Sequence, residues 1–200
     1  MQVRWYRERT FRPYEDGMFF ILNEGGERMT GPVGIETARL RLRPFTLDDA
    51  ERLYECLNDA NYLQFVPFQP LNQVEEARRL IKQQFLSKTT APKALAIVRK
   101  DTQDFIGLVA LVDYNRRARE GQVGYVIHPE YTNQGYMTEA LRAFIDYSFR
   151  YFNLERLYGK THPLNLASQK VMIHVGMDYV DAEKDRYGNL ERLVFVRAKY

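Results

Sequence analysis

The chain alternates between segments in which every second residue is apolar and segments in which every third or fourth residue is apolar. Residues 39–43 alternate charged and apolar side chains, as a half-buried strand does. Other short apolar runs, bounded by turn residues, have the length and composition of strands. Tyr187, Gly188 and Asn189 mark the turn of a closing hairpin. The predicted strands are residues 39–43, 94–99, 105–113, 122–127, 156–161, 179–183 and 192–199.

Four helices are predicted between these strands. Thr46 is a suitable N-cap for the first, because Asp49 follows three residues later. The second covers residues 74–85, the third 136–152 and the fourth 165–175. Their inward stripes are Ala50, Leu53, Tyr54 and Leu57 in the first, Val74, Ala77, Ile81 and Phe85 in the second, and Leu141, Phe144, Ile145, Ser148 and Phe152 in the third. Strands and helices in this order predict an α/β or α+β sheet with helices on both faces.

Composition narrows the class of protein. A chain of 200 residues fits one domain with a sizeable core. The net charge of +3, with acids and bases interspersed, does not indicate a nucleic-acid-binding surface. The N-terminal sequence does not read as a signal peptide, and apolar runs stay below the about 18 residues that cross a bilayer. A single cysteine, Cys56, suits the reducing cytoplasm, and Cys and His do not cluster at zinc-site spacing, so no metal is expected.

The segment from residue 128 to 140, His-Pro-Glu-Tyr-Thr-Asn-Gln-Gly-Tyr-Met-Thr-Glu-Ala, joins a predicted strand to a predicted helix. Such a turn presents free backbone N–H groups at the positive end of a helix, which favours a phosphate. Gly135 has no Cβ that would hold a pyrophosphate away from those groups. The segment therefore suggests a site for a phosphorylated cofactor, although an ordinary strand–helix turn remains an alternative at this point.

Three motifs in order resemble the GNAT acetyltransferase superfamily, in its Rim-type branch of ribosomal-protein N-terminal acetyltransferases. The opening Thr-Ala-Arg-Leu-Arg-Leu-Arg-Pro-Phe-Thr-Leu-Asp-Asp of residues 37–49 is similar to the first strand and helix start of that branch. Asn165-x-x-Ser168, followed by Val171 and Gly176-Met177, is similar to a second motif. The residues of 128–140 that match the branch are Gly135, Met137, Thr138, Glu139 and Ala140.

Two residues of the loop depart from the branch. Asn133 stands where the first glycine of a pair is usual, and Thr132 stands where Arg or Gln is usual. Asparagine tolerates a left-handed backbone better than most residues, so we expect the turn to keep its shape.

The resemblance implies the GNAT fold, a mixed and mostly antiparallel sheet splayed at the acetyl-CoA strand, with helices on both faces. It implies that acetyl-CoA is the co-substrate, that its pantetheine arm pairs with the end of the strand before the loop, and that a backbone N–H there stabilises the oxyanion. The residues expected to bind the cofactor are Val126, Ile127, Asn133, Gln134, Gly135, Tyr136, Met137, Thr138, Asn165 and Ser168.

The expected catalytic residues are Ser168, Asn165 and His162. Many family members carry a tyrosine acid at the position of Met172, and methionine cannot donate a proton. Ser168, one helical turn earlier, is the candidate partner of the departing thiolate, and Asn165 can hold the pantetheine amide. The alternative is that Asn165 only caps the helix and Ser168 only faces solvent.

A general base is harder to assign. His162 precedes the last helix and is favoured because strand ends there line the acceptor cleft in this fold. A water relay is the other route, and an α-amine, with a reference pKa of about 8, needs only a weak base. The remaining candidates near the strand and loop are Glu120, Glu130, Glu139 and His128.

We therefore expect an N-acetyltransferase that passes acetyl directly to a primary amine in a ternary complex, with a protein N-terminus as the favoured acceptor. Acetylation of a small molecule, such as an antibiotic or polyamine, is the main alternative. Arg116, Arg117 and Arg119 in one turn argue against a polycation. A non-catalytic acyl-CoA-binding module is a third hypothesis, and a nucleotide-binding module would need a Gly-Lys-Ser/Thr loop. Nucleic-acid and membrane partners are not expected, and the oligomeric state stays open, with a homodimer as one alternative.

The resemblance covers about residues 36–200, and we expect residues 35–200 to form the acetyltransferase domain. Residues 1–34 form an N-terminal extension of unknown role. Its apolar stretch at 18–22 predicts a short strand or a segment that packs on a partner chain.

Overall fold

The structure, a computed structural model, describes residues 34–66, 69–86 and 92–199. The predicted strand or packing segment at residues 18–22 lies outside the described residues. Within the described ranges, every helix is too short or too polar to cross a membrane.

Eight strands form one sheet in the order β1-β2-β3-β4-β5-β6-β8-β7. All neighbours pair antiparallel except β5 and β6, which are parallel. The strands are β1 (Ile35–Glu36), β2 (Leu40–Arg43), β3 (Ala94–Arg99), β4 (Phe105–Asn115), β5 (Glu120–Ile127), β6 (Arg156–Thr161), β7 (Asp178–Lys184) and β8 (Leu190–Ala198).

The predicted strands are all present, and the sheet adds one that the pattern does not show. β1 is only two residues long, too short for an alternation to register. β4 and β5 extend beyond their predicted ends because their hairpin continues to the pair Asn115–Glu120, where the side chains are polar or exposed. Such pairing depends on backbone hydrogen bonds and leaves no hydrophobic pattern.

The helices are α1 (Ala50–Leu57), α2 (Ala60–Leu63), α3 (Val74–Leu80), α4 (Tyr136–Tyr151) and α5 (Leu166–His174). Thr46 begins a 3-10 turn that leads into α1, and its backbone N–H donates to the Asp49 carboxylate at 2.8 Å, as the spacing predicts. α3 continues as a π-helical turn, Ile81–Phe85. α2 was not predicted; it is one short turn capped by Asp59, whose Oδ1 accepts from the Tyr62 N–H at 3.0 Å.

Helices cover both faces of the sheet, as predicted. α1 and α3 pack on one face through a cluster that includes Leu53, Ala77 and Ile81. α4 and α5 pack on the other, where Leu141, Phe144 and Ile145 are fully buried. The observed sheet is mixed and mostly antiparallel, as the resemblance implied.

β5 and β6 separate halfway along β5. Their register runs from Glu120–Arg156 to Val123–Gly159 and ends there. The second half of β5, Gly124 to Ile127, still pairs with β4 on its other side. Within the described residues a crevice therefore opens between β5 and β6, and the last residues of β5 lead from it into the loop before α4.

Candidate active site

The crevice exposes one side of the backbone of Gly124 to Ile127. An unpaired strand edge offers N–H and C=O groups at strand spacing, so an extended chain can add to it as a further strand. Val126 and Ile127, two of the expected cofactor residues, lie on this edge. Side chains alternate along β5, so Val123, Tyr125 and Ile127 face α4 while Val126 faces α1.

The loop after β5 contains two left-handed residues. His128 ends the strand, Pro129–Tyr131 form a 3-10 turn, and Asn133 and Gly135 have φ angles of 59° and 78°. Asn133 thus takes the backbone conformation that we expected it to tolerate. Gly135 is the N-cap of α4, and a Cβ there would meet only the Arg39 side chain, at 3.5 Å, so its requirement for glycine comes from φ.

The first turn of α4 leaves backbone N–H groups without a helical partner. The Glu139 N–H is bonded to the Gly135 carbonyl at 3.1 Å, so those of Tyr136, Met137 and Thr138 precede the first helical bond. The side chains of Tyr136 and Met137 are buried. Their contribution to an anion site is therefore through the backbone N–H, strengthened by the helix dipole.

Glu139 connects the first turn of α4 to the turn between β1 and β2. Its Oε1 accepts from the Thr37 hydroxyl at 2.6 Å and from the Arg39 backbone N–H at 2.8 Å. Its Oε2 lies 2.7 Å from Arg39 Nε. Burial disfavours the charge on Glu139, but these hydrogen bonds outweigh it and lower the pKa of the carboxyl group. Both oxygens are engaged, so Glu139 is a poor candidate for the general base.

A cavity of about 210 Å³ adjoins Tyr136 and is lined by Ala38, Arg39, Arg99, Lys100 and Asp101. Each of its three cations is paired with an acid: Arg39 with Glu139, Arg99 with Asp101 and Lys100 with Glu36. Because these charges balance locally, an anion bound at the loop would be held mainly by the backbone N–H groups of α4.

Ser168 lies across the crevice from β5. Asn165 caps α5, and its Oδ1 accepts from the Ser168 N–H at 3.0 Å. The Ser168 hydroxyl does not simply face solvent, because it lies 2.8 Å from the Tyr125 hydroxyl. The Tyr125 hydroxyl also lies 3.2 Å from the Ser168 carbonyl oxygen. Burial raises the pKa of Tyr125 to about 12, although the hydrogen bond with Ser168 opposes this shift.

Tyr125 is the residue that the sequence analysis missed. Its position in the alternation of β5 places it on the same face as Val123 and Ile127, so its side of the sheet could have been read from the pattern. Its partner could not, since Ser168 is 43 residues away and reaches it only through the packing of α5.

The two histidine candidates occupy different surroundings. The His162 ring lies against Phe65, with centroids 5.7 Å apart, and its Nδ1 accepts from the Leu164 N–H at 3.1 Å. His128 is buried, and its Nε2 lies 3.1 Å from Glu55 Oε2. His128 therefore links α1 to the end of β5, whereas His162 follows β6 directly and contacts the backbone of the turn before α5.

The glutamates beside the crevice are paired with basic or hydroxyl groups. Glu120 Oε1 accepts from Arg156 at 2.8 Å and from the Tyr158 hydroxyl at 3.3 Å, and it starts β5 about 23 Å along the strand from Ile127. Glu130 Oε2 lies 3.7 Å from Arg52. Across the described part of the chain, His, Cys, Asp and Glu form no group of three that could hold a metal ion.

Comparison with known proteins identifies the family. The acetyltransferase (GNAT) domain family matches residues 39–178, more than half of the chain. YnaD, an uncharacterized N-acetyltransferase of Bacillus subtilis, is 29% identical over 143 residues, which are 72% of this chain and 81% of the relative. A spermidine N(1)-acetyltransferase of Vibrio cholerae is 21% identical over 171 residues, covering 82% of this chain and 96% of the relative.

Comparison with solved structures also finds acetyltransferases. A putative ribosomal-protein-serine acetyltransferase from Vibrio cholerae has a TM-score of 0.69 and 26% identity, covering 86% of this chain and 100% of that one. RimL, a ribosomal L7/L12 alpha-N-protein acetyltransferase solved with coenzyme A, has a TM-score of 0.67 and 16% identity, covering 81% of this chain and 95% of that one. At 16% identity the likeness to RimL shows the fold alone, whereas the putative ribosomal-protein-serine acetyltransferase, at 26% identity, supports the Rim-type branch. The chain thus belongs to the GNAT acetyltransferase family and is an acyl-CoA-dependent N-acetyltransferase.

Proposed function

We propose that this enzyme transfers acetyl from acetyl-CoA to a protein N-terminal α-amine by direct attack in a ternary complex. One observation carries the proposal: the free edge of β5 runs without interruption into the glycine turn and the first turn of α4. An edge that can pair with an extended amide chain and a site for phosphate therefore follow one another, as the pantetheine and pyrophosphate do in acetyl-CoA.

In the proposed complex, the pantetheine arm pairs with the backbone of Val126 and Ile127, and a backbone N–H of this edge donates to the oxyanion. The pyrophosphate accepts from the backbone N–H groups between Asn133 and Thr138. Asn165 and Ser168 border the arm on the side of α5. Support for the co-substrate comes from RimL, whose structure contains coenzyme A in this fold.

Direct attack is favoured over a cysteine acyl-enzyme. Cys56 is the single cysteine of the chain and is buried. Burial raises its pKa to about 12, so the thiol stays protonated and unreactive. The acceptor amine itself must then attack the thioester, and its electrons displace the thiolate of coenzyme A. We propose that Ser168 donates a hydrogen bond to this thiolate and that His162, directly or through water, receives the proton from nitrogen.

The α-amine is favoured as acceptor because the described site offers only weak bases. An α-amine has a reference pKa of about 8 and a lysine of about 10.4, so a far larger fraction of the α-amine is neutral near pH 7. The ribosomal-protein acetyltransferases among the neighbours point the same way. The spermidine acetyltransferase relative supports the second candidate, a small-molecule amine. Arg116, Arg117 and Arg119, near the β4–β5 hairpin turn, disfavour a polycation.

The test is release of free thiol from acetyl-CoA with a panel of acceptors. We expect turnover with a peptide that has a free N-terminus and poor turnover with the same peptide blocked there and carrying an internal lysine. Equal rates on the two peptides would refute the α-amine. Rapid reaction with spermidine or an aminoglycoside, and with neither peptide, would favour the small-molecule alternative. Binding of acetyl-CoA without transfer to any acceptor would favour the non-catalytic module.

We further propose that residues 35–200 are sufficient for this activity. β1 begins at Ile35, and the eight described strands form one continuous sheet. Removing residues 1–34 should leave acetyl-CoA binding unchanged. Comparing the mass in solution with and without them tests whether the extension supports a homodimer.

A further inference from the structure

Tyr125 is a second polar group beside the crevice, and the three motifs of the sequence analysis do not include it. It lies two residues beyond Val123, where the pairing of β5 with β6 ends, and its side chain reaches from β5 to α5. Its hydroxyl lies 2.8 Å from Ser168 Oγ and 3.2 Å from the Ser168 carbonyl oxygen. The ring therefore spans the open part of the crevice and ends on the serine that we assign to the thiolate.

We propose that Tyr125 is a positioning residue for acyl transfer, whose phenol donates to Ser168 Oγ and thereby turns the serine proton toward the departing sulfur. The inference rests on the proposed function. Tyr125 acts through Ser168 and does not itself touch the substrate.

The hydrogen-bond inventory supports this direction. The Tyr125 phenol has one proton, and Ser168 Oγ, at 2.8 Å, is a closer acceptor for it than the Ser168 carbonyl oxygen, at 3.2 Å. A serine hydroxyl has one proton and two lone pairs. When Ser168 Oγ accepts from Tyr125, its own proton is left for a third group, and the pantetheine sulfur is the acceptor that the reaction brings there. Hydrogen bonds in a chain polarise one another, so the serine proton becomes a better donor than it would be alone.

The protonation state of the phenol suits this role. With a pKa of about 12, Tyr125 keeps its proton throughout the physiological range. A group of that pKa is a poor source of a proton for a thiolate, whose reference pKa in cysteine is about 8.5. The pair therefore stabilises the thiolate by hydrogen bonding: the C–S bond breaks, its electrons stay on sulfur, and the proton lost from nitrogen passes to the base or to water.

The position of Met172 strengthens the assignment. Met172 is 1% exposed, and a Cβ added to Gly159 would lie 2.7 Å from its Sδ. The side chain at this position thus packs into the core against β6. The tyrosine hydroxyl on this side of the site is therefore that of Tyr125 on β5, and position 172 on α5 supplies none.

The test compares the parent with Tyr125→Phe, Ser168→Ala and the double variant, in steady-state turnover of acetyl-CoA. Tyr125→Phe should lower kcat about tenfold, the order expected for one lost hydrogen bond, with KM for acetyl-CoA near the parent value. Ser168→Ala should lower kcat at least as much. The double variant should be no slower than Ser168→Ala, because the phenol has nothing left to orient.

Tyr114→Phe is the matched control. Tyr114 is also half-buried and donates to a backbone carbonyl, that of Phe152, at 3.3 Å, but it lies on β4 away from the crevice. The Tyr114→Phe variant should keep the parent kcat. A fluorinated tyrosine at 125, nearly the same shape with a stronger donor, should retain or raise kcat, whereas a structural role would respond to shape alone. Ser168→Thr keeps a hydroxyl, so adding Tyr125→Phe to this variant should still lower its kcat.

Several results would overturn the inference. One is a Tyr125→Phe variant that keeps the parent kcat. Another is a double variant in which the losses of kcat from the two single variants multiply. A third is a Tyr114→Phe variant that loses as much kcat as Tyr125→Phe. A fluorinated variant as slow as Tyr125→Phe would also overturn it. If the parent transfers acetyl to no amine, the proposed function fails together with this inference, whereas an active parent with an insensitive Tyr125 rejects this inference alone.

Discussion

The side chain of Met172 shows how a residue at a family's acid position can serve the core. On α5 it is four residues after Ser168, so both face the same side of the helix. Ser168 is half-buried and reaches Tyr125, whereas Met172 is buried against Gly159. The sequence analysis treated the two positions as alternative sites for a proton donor, but the packing separates their roles.

We therefore predict that Met172→Tyr destabilises the enzyme without restoring an acid. A tyrosine is larger than the space above Gly159, and overpacking of this kind costs about 1–3 kcal/mol. Met172→Leu, which nearly conserves volume, should cost less than about 1.5 kcal/mol. Denaturant unfolding of both variants measures the difference. A Met172→Tyr variant as stable as the parent and faster in turnover would show that the side chain can rotate into the crevice.

At the scale of elements, the turn before α4 has a backbone that requires glycine and a proposed role in binding phosphate, and an experiment can separate the two. Gly135 and Gly188 both have left-handed backbones, with φ of 78° and 87°. Gly188 lies in the β7–β8 turn, where an added Cβ would meet nothing within 4 Å. A side chain at either position should cost a similar strain, about 1–2 kcal/mol, because L-residues disfavour this region.

The ligand response should differ between these two glycines. Acetyl-CoA at 100 times its dissociation constant should stabilise the parent by about 2.7 kcal/mol and raise its melting temperature. Gly135→Glu should lose this shift, because it adds a negative charge at the proposed pyrophosphate site. Gly188→Glu should keep it. Retention of the full shift in Gly135→Glu would place the phosphates elsewhere.

Glu139 ties two elements together, and its charge should be visible in the pH dependence of stability. Hydrogen bonds from Thr37 and Arg39 lower its pKa from 4.5 in the folded state despite burial. A lowered folded-state pKa means that the contribution is complete above about pH 4.5 and is lost as pH falls through the folded-state pKa.

Glu139→Gln should therefore destabilise the enzyme by about 1–2 kcal/mol at pH 7, and the difference should shrink below pH 4.5. Denaturant unfolding at pH 7 and at pH 3.5 measures it. Glu75→Gln is the control, because Glu75 is exposed and its partner Arg78 lies 3.4 Å away on the same helix, so its loss should stay within about 0.5 kcal/mol. A difference that is constant with pH would mean that the carboxylate charge is unimportant.

These elements also show what a single sequence could and could not reveal. Periodicity predicted the long strands and helices because each buries one face, and the loop before α4 was predicted from local backbone chemistry at Gly135. The contacts that organise the site join residues far apart in the chain, Thr37 to Glu139 and Tyr125 to Ser168, and no local pattern records them. β1 and α2 were missed because two and four residues are too few to show a period.

At the scale of the whole molecule, the site combines an expected cofactor position with a modest supply of bases. The described carboxylates beside the loop and crevice are tied to cations or hydroxyls, as Glu120 is to Arg156 and Glu139 to Arg39. His128 is buried beside Glu55, and the proposed base His162 is the residue that follows β6. An acceptor that is already partly neutral at physiological pH fits such a site best.

The acceptor should therefore determine the pH dependence of the rate. With acetyl-CoA saturating and a peptide with a free N-terminus subsaturating, the rate should rise with pH and level off near pH 8, the reference pKa of an α-amine. Tyr125, with a pKa of about 12, adds no break in this range. A rate still climbing near pH 10 would point to a lysine acceptor. A plateau near pH 6.5 would instead report a histidine, and loss of that plateau in His162→Asn would identify it as the base.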